Sequence, residues 1–239
     1  MRPFIKKFFR TFGYEIWRIK NNQFKISGIE YEVDPCSVGK TPQGEMTAKG
    51  AIRMIRERRL NELKILDICC GVGIVGLTIF SKFRKDALVK EIVFADINIF
   101  NLNSLHKTLR INNIEKLPGD QIRSYLSDGL NHIPREEKFD IIISNPPHYF
   151  IKDRIKKKKP LSPGRLGTFD AGWEFHKSFY ARCHTYLTER GEVWFLENSS
   201  AADEKDFLPF IEANDQLKYI RKVEELSDTR FFWMITQKS

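Results

Sequence analysis

A short turn of asparagine, proline and histidine follows an apolar segment in the middle of the chain. Phe139–Ser144 is mostly apolar, which is typical of a strand buried on both faces of a parallel sheet, and Asn145–His148 (Asn-Pro-Pro-His) follows at once. Proline lacks a backbone N–H and restricts the preceding residue to extended geometry, so the chain must leave the sheet at Asn145. The carbonyl groups of this turn and the Asn145 amide could grip an amino group. The alternative is that Asn-Pro-Pro only starts a loop.

A turn containing glycines follows an earlier predicted strand. Asp67–Gly76 has the sequence Asp-Ile-Cys-Cys-Gly-Val-Gly-Ile-Val-Gly. Gly71 and Gly73 permit a tight turn and let a ligand approach the start of the next helix, where unpaired N–H groups attract a carboxylate or phosphate. Such turns also occur for packing alone. Neither Lys-Ser nor Lys-Thr follows the glycines, which argues against a triphosphate-binding P-loop.

Two more predicted strands end at acidic residues. Asp96 closes one and is followed by Ile97 and Asn98, and Asp128 closes the next. In an open α/β sheet an acidic residue at the first of these positions accepts hydrogen bonds from ribose hydroxyls; the alternative is that Asp96 caps the helix beginning near Phe100. Four successive strands thus carry polar or glycine residues at their carboxyl ends, the edge where such sheets bind ligands.

Repeated strand-helix units from Lys64 onward predict the architecture that positions these turns. Strands are expected at 64–68, 91–96, 122–128, 139–145, 193–197, 219–226 and 231–236, and helices at 74–85, 100–112, 172–187 and 202–214. Such alternation requires a parallel sheet covered on both faces, and the three residues between the last two strands require antiparallel pairing. The predicted fold is therefore α/β, with a Rossmann-like seven-stranded, mostly parallel sheet and a C-terminal antiparallel hairpin. Residues 1–48 are predicted to be an N-terminal extension with a small strand, Ile29–Val33, and 49–239 the main domain.

Composition narrows the class of protein further. The chain of 239 residues is 41% hydrophobic, enough for one well-packed domain. Its apolar runs fall well short of the roughly 20 residues of a membrane helix, so no integral membrane span is expected. The four cysteines show no zinc-type spacing, and no metal cluster is expected; the protein is predicted to reside in a reducing cytoplasm. The cysteines are Cys36, Cys69, Cys70 and Cys183.

The charge distribution points to an acidic or phosphate-bearing partner. The formal net charge is +9 and the isoelectric point is about 9.3, although solubility alone can account for a moderate excess. The most basic loop follows the Asn-Pro-Pro turn and includes Lys156, Lys157, Lys158 and Lys159. Residues 1–20 resemble a basic amphipathic helix, which could pack on its own domain or rest on an anionic membrane or nucleic acid.

In their order and spacing, these motifs resemble the class I S-adenosylmethionine-dependent methyltransferases. The resemblance covers about residues 45–238 and is strongest to the methyltransferase small domain group with an Asn-Pro-Pro-Tyr-type motif, which includes release-factor glutamine methyltransferases and several RNA methyltransferases. It implies S-adenosyl-L-methionine as the cofactor. The implied cofactor-binding residues are Asp67, Cys69, Gly71 and Gly73 around the methionine part, Asp96, Ile97 and Asn98 at the ribose, Asp128 by the adenine, and Asn145.

The same resemblance implies how the acceptor is held. Asn145 and the Pro146 carbonyl would hold a planar target nitrogen, with His148 stacked over it. Cys69 replaces the family's first loop glycine, and His148 stands where the family usually has Tyr or Phe; an imidazole can also carry charge or accept a proton. The segment 170–176 corresponds to a region that often contacts substrate in the family. Within it Trp173 is expected to be a core residue or to stack on a base, and His176, like His184, to be structural or exposed.

The leading hypothesis is N-methylation of a planar nitrogen in RNA, DNA or a protein side chain, with the lysine-rich loop gripping phosphates or an acidic surface. A second enzymatic hypothesis is tailoring of a small metabolite or glycan. A third is a cofactor-binding protein without transfer activity, and a fourth is another use of S-adenosylmethionine.

Overall fold

Seven strands form one twisted sheet with helices on both faces. The computed structural model describes residues 23–34, 36–37, 42–58, 61–86, 88–114, 121–148 and 170–239. The sheet strands are β3 (Leu63–Ile68), β4 (Val89–Asp96), β5 (Ile122–Leu126), β6 (Phe139–Ser144), β7 (Leu187–Asn198), β8 (Leu217–Glu224) and β9 (Phe231–Lys238). The helices are α1 (Pro42–Glu57), α2 (Ile74–Phe83), α3 (Ile99–Ile111), α4 (Glu174–Tyr180) and α5 (Glu204–Glu212).

The strand order confirms the predicted sheet. The order is β5-β4-β3-β6-β7-β9-β8, with parallel pairing from β5 through β7. Strand β9 pairs antiparallel with both β7 and β8, so the last two strands form the expected hairpin. Because β3 and β6 lie next to each other, the turns that follow them emerge side by side at one edge.

The described part of the N-terminal extension packs on the domain. Strands β1 (Gln23–Ile26) and β2 (Ile29–Glu32) form an antiparallel hairpin, where a strand was expected only at Ile29–Val33. Tyr31 of this hairpin is fully buried in the same hydrophobic core as helix α2. Helix α1 spans the proposed boundary at 48/49, so the division into extension and domain stays a proposal.

The predicted helix at 172–187 is shorter in the structure. Residues 171–173 form a 3₁₀ turn, α4 ends at Tyr180, and a second 3₁₀ turn spans Cys183–Tyr186. The Asn214 side-chain amide donates to the carbonyls of Tyr180 (2.8 Å) and Ala181 (3.3 Å), which satisfies acceptors that a continuing helix would have paired. The backbone then takes a non-helical conformation at Arg182.

Two hydrophobic cores cover the faces of the sheet. Helices α1, α2 and α3 enclose one core, in which Phe80, Phe94 and Trp233 are buried. Helices α4 and α5 enclose the other, which is rich in aromatic residues and contains Phe179, Phe195 and Phe207. Within the described ranges, no helix is long and apolar enough to cross a membrane.

Candidate active site

The loop after β3 has three residues with left-handed backbone conformations. Their φ angles are 55° at Cys69, 56° at Gly71 and 83° at Gly73. A side chain at Gly73 would also collide with Leu105, because an added Cβ would lie 2.6 Å from its Cδ1 atom. The two glycines are therefore required for this turn, and Cys69 occupies a conformation that side chains rarely adopt.

Asp67 lies beneath this loop and anchors the helix that follows it. Its side chain is almost fully buried, and Oδ2 accepts a hydrogen bond from the Gly76 N–H at 2.8 Å. Burial raises the pKa of the Asp67 carboxyl to about 7; the Gly76 N–H opposes this shift, and the charge of Asp96 adds to it. Through this hydrogen bond Asp67 fixes the first turn of α2 and thereby the loop that precedes it.

Asp96 joins the loop after β3 to the end of β4. Its Oδ2 atom accepts from the Gly71 N–H at 2.8 Å, and Oδ1 accepts from the Asn98 N–H at 2.8 Å and the Asn101 amide at 3.0 Å. Burial raises the pKa of Asp96, and the donors at Asn98, Gly71 and Asn101 oppose the shift. Each carboxylate oxygen can accept two hydrogen bonds. Oδ2 receives one from the described residues, so it can still accept one from a ribose hydroxyl.

Helix α3 is capped by Asn98 and not by Asp96, which was the alternative role considered for Asp96. Asn98 is the N-cap of α3, and its Oδ1 accepts from the Phe100 N–H at 3.0 Å. Ile97, between Asp96 and Asn98, is a large apolar side chain that is 68% exposed. Leu126, which the sequence did not single out, pairs in register with Asp96 and is 51% exposed, and Asp128 is exposed two residues later.

The Asn-Pro-Pro-His turn is held next to the loop that follows β3. The Ser144 hydroxyl, one residue before the turn, donates to the Ile68 carbonyl at 2.6 Å. Asn145 is half-buried, and Pro146 and His148 are buried. Cys69 of the loop after β3 has its side chain beside Ser144, and burial, with Asp96 nearby, raises the pKa of its thiol well above the ordinary value. The turn and the glycine-containing loop thus form one site at the carboxyl edge of the sheet.

A chain of buried ionisable side chains leads from this turn into the aromatic core. His148 Nε2 lies 2.6 Å from Asn145 Oδ1, and its Nδ1 lies 3.3 Å from Glu197 Oε2. The other oxygen of Glu197 lies 3.0 Å from His176 Nε2, and His176 Nδ1 lies 2.6 Å from Asp170 Oδ2. Glu197 and His176 are both 0% exposed.

The pKa shifts of His176 and Glu197 follow from the charges of their neighbours. Burial alone would lower the pKa of His176, but Glu197 and Asp170 raise it to about 9. Burial alone would raise the pKa of Glu197, but His176 and His148 lower it to about 2. His176 is therefore an imidazolium and Glu197 a carboxylate at neutral pH.

The sequence interpretation missed the role of Glu197, although a signal was present. It closes the apolar segment Val193–Glu197, just as Asp67 and Asp96 end their strands. Trp173 packs edge to face on Phe207 at 4.9 Å, in agreement with the core interpretation. His176 is structural rather than exposed, and His184 is half-buried beside Asn214.

The strand order of the sheet and the helices on its two faces give the chain the fold of the class I methyltransferases. Residues 51–158 match the family model described as "Methyltransferase small domain". This match agrees with the predicted resemblance to the methyltransferase small domain group and supports the predicted class of enzyme and its cofactor, S-adenosyl-L-methionine.

Two curated relatives show what the chain is similar to. It is 25% identical over 181 residues to the release factor glutamine methyltransferase of Clostridium botulinum, covering 72% of this chain and 59% of the relative. It is 30% identical over 176 residues to the ribosomal RNA small subunit methyltransferase C of Haemophilus influenzae strain PittGG, covering 74% of this chain and 42% of the relative. The chain thus spans about half the length of these relatives.

Solved structures show the same fold at low sequence identity. A ribosomal protein L11 methylase from Lactobacillus delbrueckii subsp. bulgaricus superposes with a TM-score of 0.57 at 15% identity, covering 87% of this chain and 84% of the other. A 16S rRNA methyltransferase of T. thermophilus, in complex with AdoMet and guanosine, superposes with a TM-score of 0.58 at 17% identity, covering 91% of this chain and 50% of the other.

Proposed function

We propose that the protein transfers a methyl group from S-adenosyl-L-methionine to a planar nitrogen of a macromolecule, which is an RNA, a DNA or a protein side chain. The observation that carries the proposal is the hydrogen bond from Ser144 to the Ile68 carbonyl, because it fixes the Asn-Pro-Pro-His turn beside the glycine-containing loop. The similarity to release factor and ribosomal RNA methyltransferases supports an acceptor of this kind.

The residues of the first loop fit the proposed cofactor. Gly71 and Gly73 allow the tight left-handed turn at the start of α2, and the Asp96 carboxylate, which accepts from the Gly71 N–H, is the proposed partner of the ribose hydroxyls. Ile97 and Leu126 offer apolar surface to an adenine ring, and Asp128 is exposed beside them. The cofactor supplies an electrophilic methyl group on a positively charged sulfur.

The turn after β6 supplies hydrogen-bond acceptors for the target nitrogen. In the transition state that nitrogen becomes positive, so the Asn145 amide oxygen and the Pro146 carbonyl stabilise the developing charge. They also align the nitrogen lone pair with the methyl group, and positioning of this kind accounts for much of the rate in group transfer. His148, beside Asn145, completes the proposed catalytic set.

The test is transfer from methyl-labelled S-adenosylmethionine to separate RNA, DNA, protein and small-molecule fractions of cells that lack the gene. We expect label in one macromolecular fraction. Asn145→Ala should reduce this transfer by roughly 100-fold or more, the usual effect of removing one group that stabilises transition-state charge. Its cofactor affinity, measured by calorimetry, should stay within about threefold of wild type, because the loop after β3 is intact.

Asn103→Ala is the matched control, because Asn103 is an exposed asparagine on α3. It should leave both transfer and cofactor affinity unchanged. Label confined to the small-molecule fraction would favour a metabolite-tailoring enzyme instead. Cofactor binding without transfer to any fraction would contradict the proposed activity.

Lys156–Lys159 lies outside the described residues, so its contact with a partner stays a prediction. If the acceptor is a nucleic acid, replacing these four lysines with glutamine should weaken binding and reduce its salt dependence, because fewer counterions would be released. Binding that is indifferent to salt in wild type would argue against a nucleic acid. The cytoplasmic location predicted from the cysteines is likewise a proposal.

A further inference from the structure

Strand β2 pairs along one edge with side chains of helix α3 rather than with another strand. Three alternate backbone N–H groups, in β2 and just after it, donate to three side-chain oxygens spaced four residues apart in α3 and just after it. The pairs are Glu30 with Asn112 (3.0 Å), Glu32 with Thr108 (3.4 Å) and Asp34 with Ser104 (2.8 Å). We call these three contacts the strand-helix ladder. The Asn112 amide also donates to the Glu30 carbonyl at 2.6 Å, as a partner strand would.

The ladder stays in register because the repeats of the two elements match. Two residues of a strand advance by about 6.6 Å and four residues of a helix by about 6.0 Å. Ser104 and Thr108 are fully buried, so these two acceptors have fixed positions. Because the residue numbers of the strand rise as those of the helix fall, β2 runs antiparallel to α3. The residues after β2 therefore arrive at the N-terminal end of the helix.

Asp34 turns the chain at this end of the helix. Its Oδ1 atom accepts the Cys36 N–H at 2.9 Å, and its carbonyl accepts the Ser37 N–H at 3.0 Å and the Ser37 hydroxyl at 2.6 Å. Ser37 is itself buried, and its Oγ atom lies 3.2 Å from Ser104 Oγ. Ser104 thus contacts both sides of the turn, and the position of the Cys36 carbonyl depends on it.

Asn98 connects this turn to the loop proposed to bind the ribose. Its Nδ2 group donates to the Cys36 carbonyl at 3.3 Å, and its Oδ1 atom caps α3. Its backbone N–H donates to Asp96 Oδ1 at 2.8 Å. A shift of Asn98 therefore moves a donor of the Asp96 carboxylate, whose other oxygen accepts from the Gly71 N–H. These contacts form a continuous path from Ser104 to Asp96.

We propose that Ser104 is a positioning residue for the cofactor site, that it acts through the Asp34 turn on Asn98, and that the N-terminal segment is thereby a working part of that site. The inference rests on the proposed function, because it concerns the ribose contact proposed for Asp96. The alternative is that the ladder only covers the outer edge of a hairpin, as proteins often cover strand edges. An edge cover affects the stability of folding, whereas a positioning contact also changes the affinity for S-adenosylmethionine.

The first test compares cofactor affinity in the full-length protein. Ser104→Ala removes the acceptor of the Asp34 N–H, so calorimetric titration should give a Kd for S-adenosylmethionine about threefold to tenfold higher than wild type, the usual effect of one hydrogen bond. An unchanged Kd would overturn the proposal, and a loss of stability alone would identify the ladder as an edge cover.

Ser178→Ala is the matched control for this substitution. The Ser178 hydroxyl donates to a carbonyl of its own helix, as the Ser104 hydroxyl does, but Ser178 is an exposed residue on α4. Its replacement should leave the Kd unchanged. An equal loss of affinity in both variants would contradict a specific role of Ser104.

The second test asks whether Ser104 acts through Asn98. A serine at position 98 keeps an oxygen that can cap α3 but lacks the Nδ2 donor, so Asn98→Ser should fold and should weaken cofactor binding. Combining it with Ser104→Ala should weaken binding no further than Asn98→Ser alone, because the path is already broken. If the two losses multiply instead, Ser104 acts by another route and the proposal is wrong.

The third test uses the reciprocity of coupled equilibria. If the ladder raises cofactor affinity, the cofactor must stabilise the ladder by the same factor. Hydrogen exchange of the Glu32 and Asp34 amides, measured where they exchange by local opening, should therefore slow when S-adenosylmethionine is added, and should slow less in Asn98→Ser. Exchange that is the same with and without the cofactor would contradict the inference.

These experiments use no methyl acceptor, so the inference and the proposed function can fail separately. Cofactor binding and coupling as expected, with no fraction accepting a methyl group, would refute the proposed transfer and support the role of Ser104. Transfer to a macromolecule with an unchanged Kd in Ser104→Ala would refute the inference alone. A wild-type protein that does not bind S-adenosylmethionine would refute both.

Discussion

Three residues of the loop after β3 have a left-handed conformation, and Cys69 is the one among them that is not glycine. A left-handed conformation costs a residue with a side chain about 1–2 kcal/mol, so this position favours glycine locally. Cysteine nevertheless preserves the turn, because Gly71 and Gly73 accept the other two left-handed positions. The departure from the family motif is therefore a matter of strain at one residue, and the path of the loop is kept.

Substitutions at Cys69 should reveal this strain. Cys69→Gly should be about 1 kcal/mol more stable than Cys69→Ala in urea unfolding, because alanine keeps the Cβ atom in the left-handed conformation. At Cys36, which is exposed and not left-handed, the order should be reversed: the alanine variant should be the more stable. The reason is that glycine makes the unfolded chain more flexible and so loses more entropy on folding. Equal stabilities of Cys69→Gly and Cys69→Ala would show that the loop relaxes around the side chain.

Ile97 should contribute to cofactor binding with little effect on folding. Its side chain is 68% exposed beside Asp96, so Ile97→Ser removes little buried area from the free protein. If an adenine ring covers it, the loss of apolar contact should weaken cofactor binding about tenfold, since burying an aliphatic side chain is worth roughly 1.5–3 kcal/mol and this one is only partly covered. Calorimetric titration of S-adenosylmethionine measures the change.

Ile111→Ser is the matched control for this prediction. Ile111 is the last residue of α3 and is also exposed, at 44%. Its replacement should leave cofactor affinity within error of wild type. An equal loss in both variants would mean that the effect comes from helix α3 as a whole.

At the level of elements, helix α1 fixes the N-terminal part of the chain against the C-terminal hairpin. Gly50 faces β9 so closely that an added Cβ would lie 2.6 Å from Glu225 Oε2 and 2.7 Å from Trp233 Cζ2. Trp233 is fully buried, and its indole N–H donates to the same Glu225 carboxylate at 2.9 Å. The glycine therefore marks a close contact between a helix and a strand far apart in sequence.

Gly50→Ala should destabilise the protein although alanine is the better helix former. The gain in helix propensity is about 1 kcal/mol, whereas overpacking a rigid buried site costs typically 1–3 kcal/mol. We expect a net loss on the order of 1 kcal/mol in urea unfolding. Lys49→Ala, at the neighbouring exposed position, should change stability by a few tenths of this at most. A more stable Gly50→Ala would show that β9 can shift away from the helix.

Helix α1 is an element whose sequence pattern only weakly indicates a helix. Its buried residues include Thr47, Ala48, Ala51 and Met54, which have helical spacing, but two glycines and small side chains make the pattern weak. The strands of the sheet, with their long β-branched and aromatic runs, were predicted to within two residues at each end, except that β7 begins at Leu187 and not at Val193. The end of α4 depends on Asn214, which lies 34 residues from Tyr180, and such a contact has no local signature.

The same contrast applies to the candidate site. The glycines, Asp96 and Asn145 were predictable because a parallel sheet brings the carboxyl ends of its strands to one edge. The pairing of Glu197 with two histidines was not, because His148 and His176 come from a turn and a helix whose distance from β7 depends on packing. Glu197 itself could have been suspected from its place at the end of an apolar strand.

At the scale of the whole molecule, the buried side chains of Asp170, His176, Glu197 and His148 connect α4 and β7 to the Asn-Pro-Pro-His turn. Stability should therefore depend on pH through this cluster. His176 has an ordinary pKa of 6.5 that is raised to about 9, so its stabilising contribution is fully present below pH 6.5 and is lost as pH rises through about 9. Glu197 has an ordinary pKa of 4.5 that is lowered to about 2, so its contribution is present above pH 4.5 and is lost as pH falls through about 2. Together they favour stability between these limits.

His176→Gln should isolate the alkaline limb of this dependence. It leaves Glu197 and Asp170 buried without their cation, so it should cost on the order of 3 kcal/mol at about pH 6, since one pKa unit is worth about 1.4 kcal/mol. As wild type loses the same proton, the difference in unfolding free energy between wild type and variant should shrink toward about pH 10. Urea unfolding at both pH values measures it, with the exposed His132→Gln as the control that should stay at wild-type stability throughout. A difference that does not change with pH would mean that His176 stabilises the core through its packing on Phe207, whose ring centroid lies 4.4 Å away, and not through its charge.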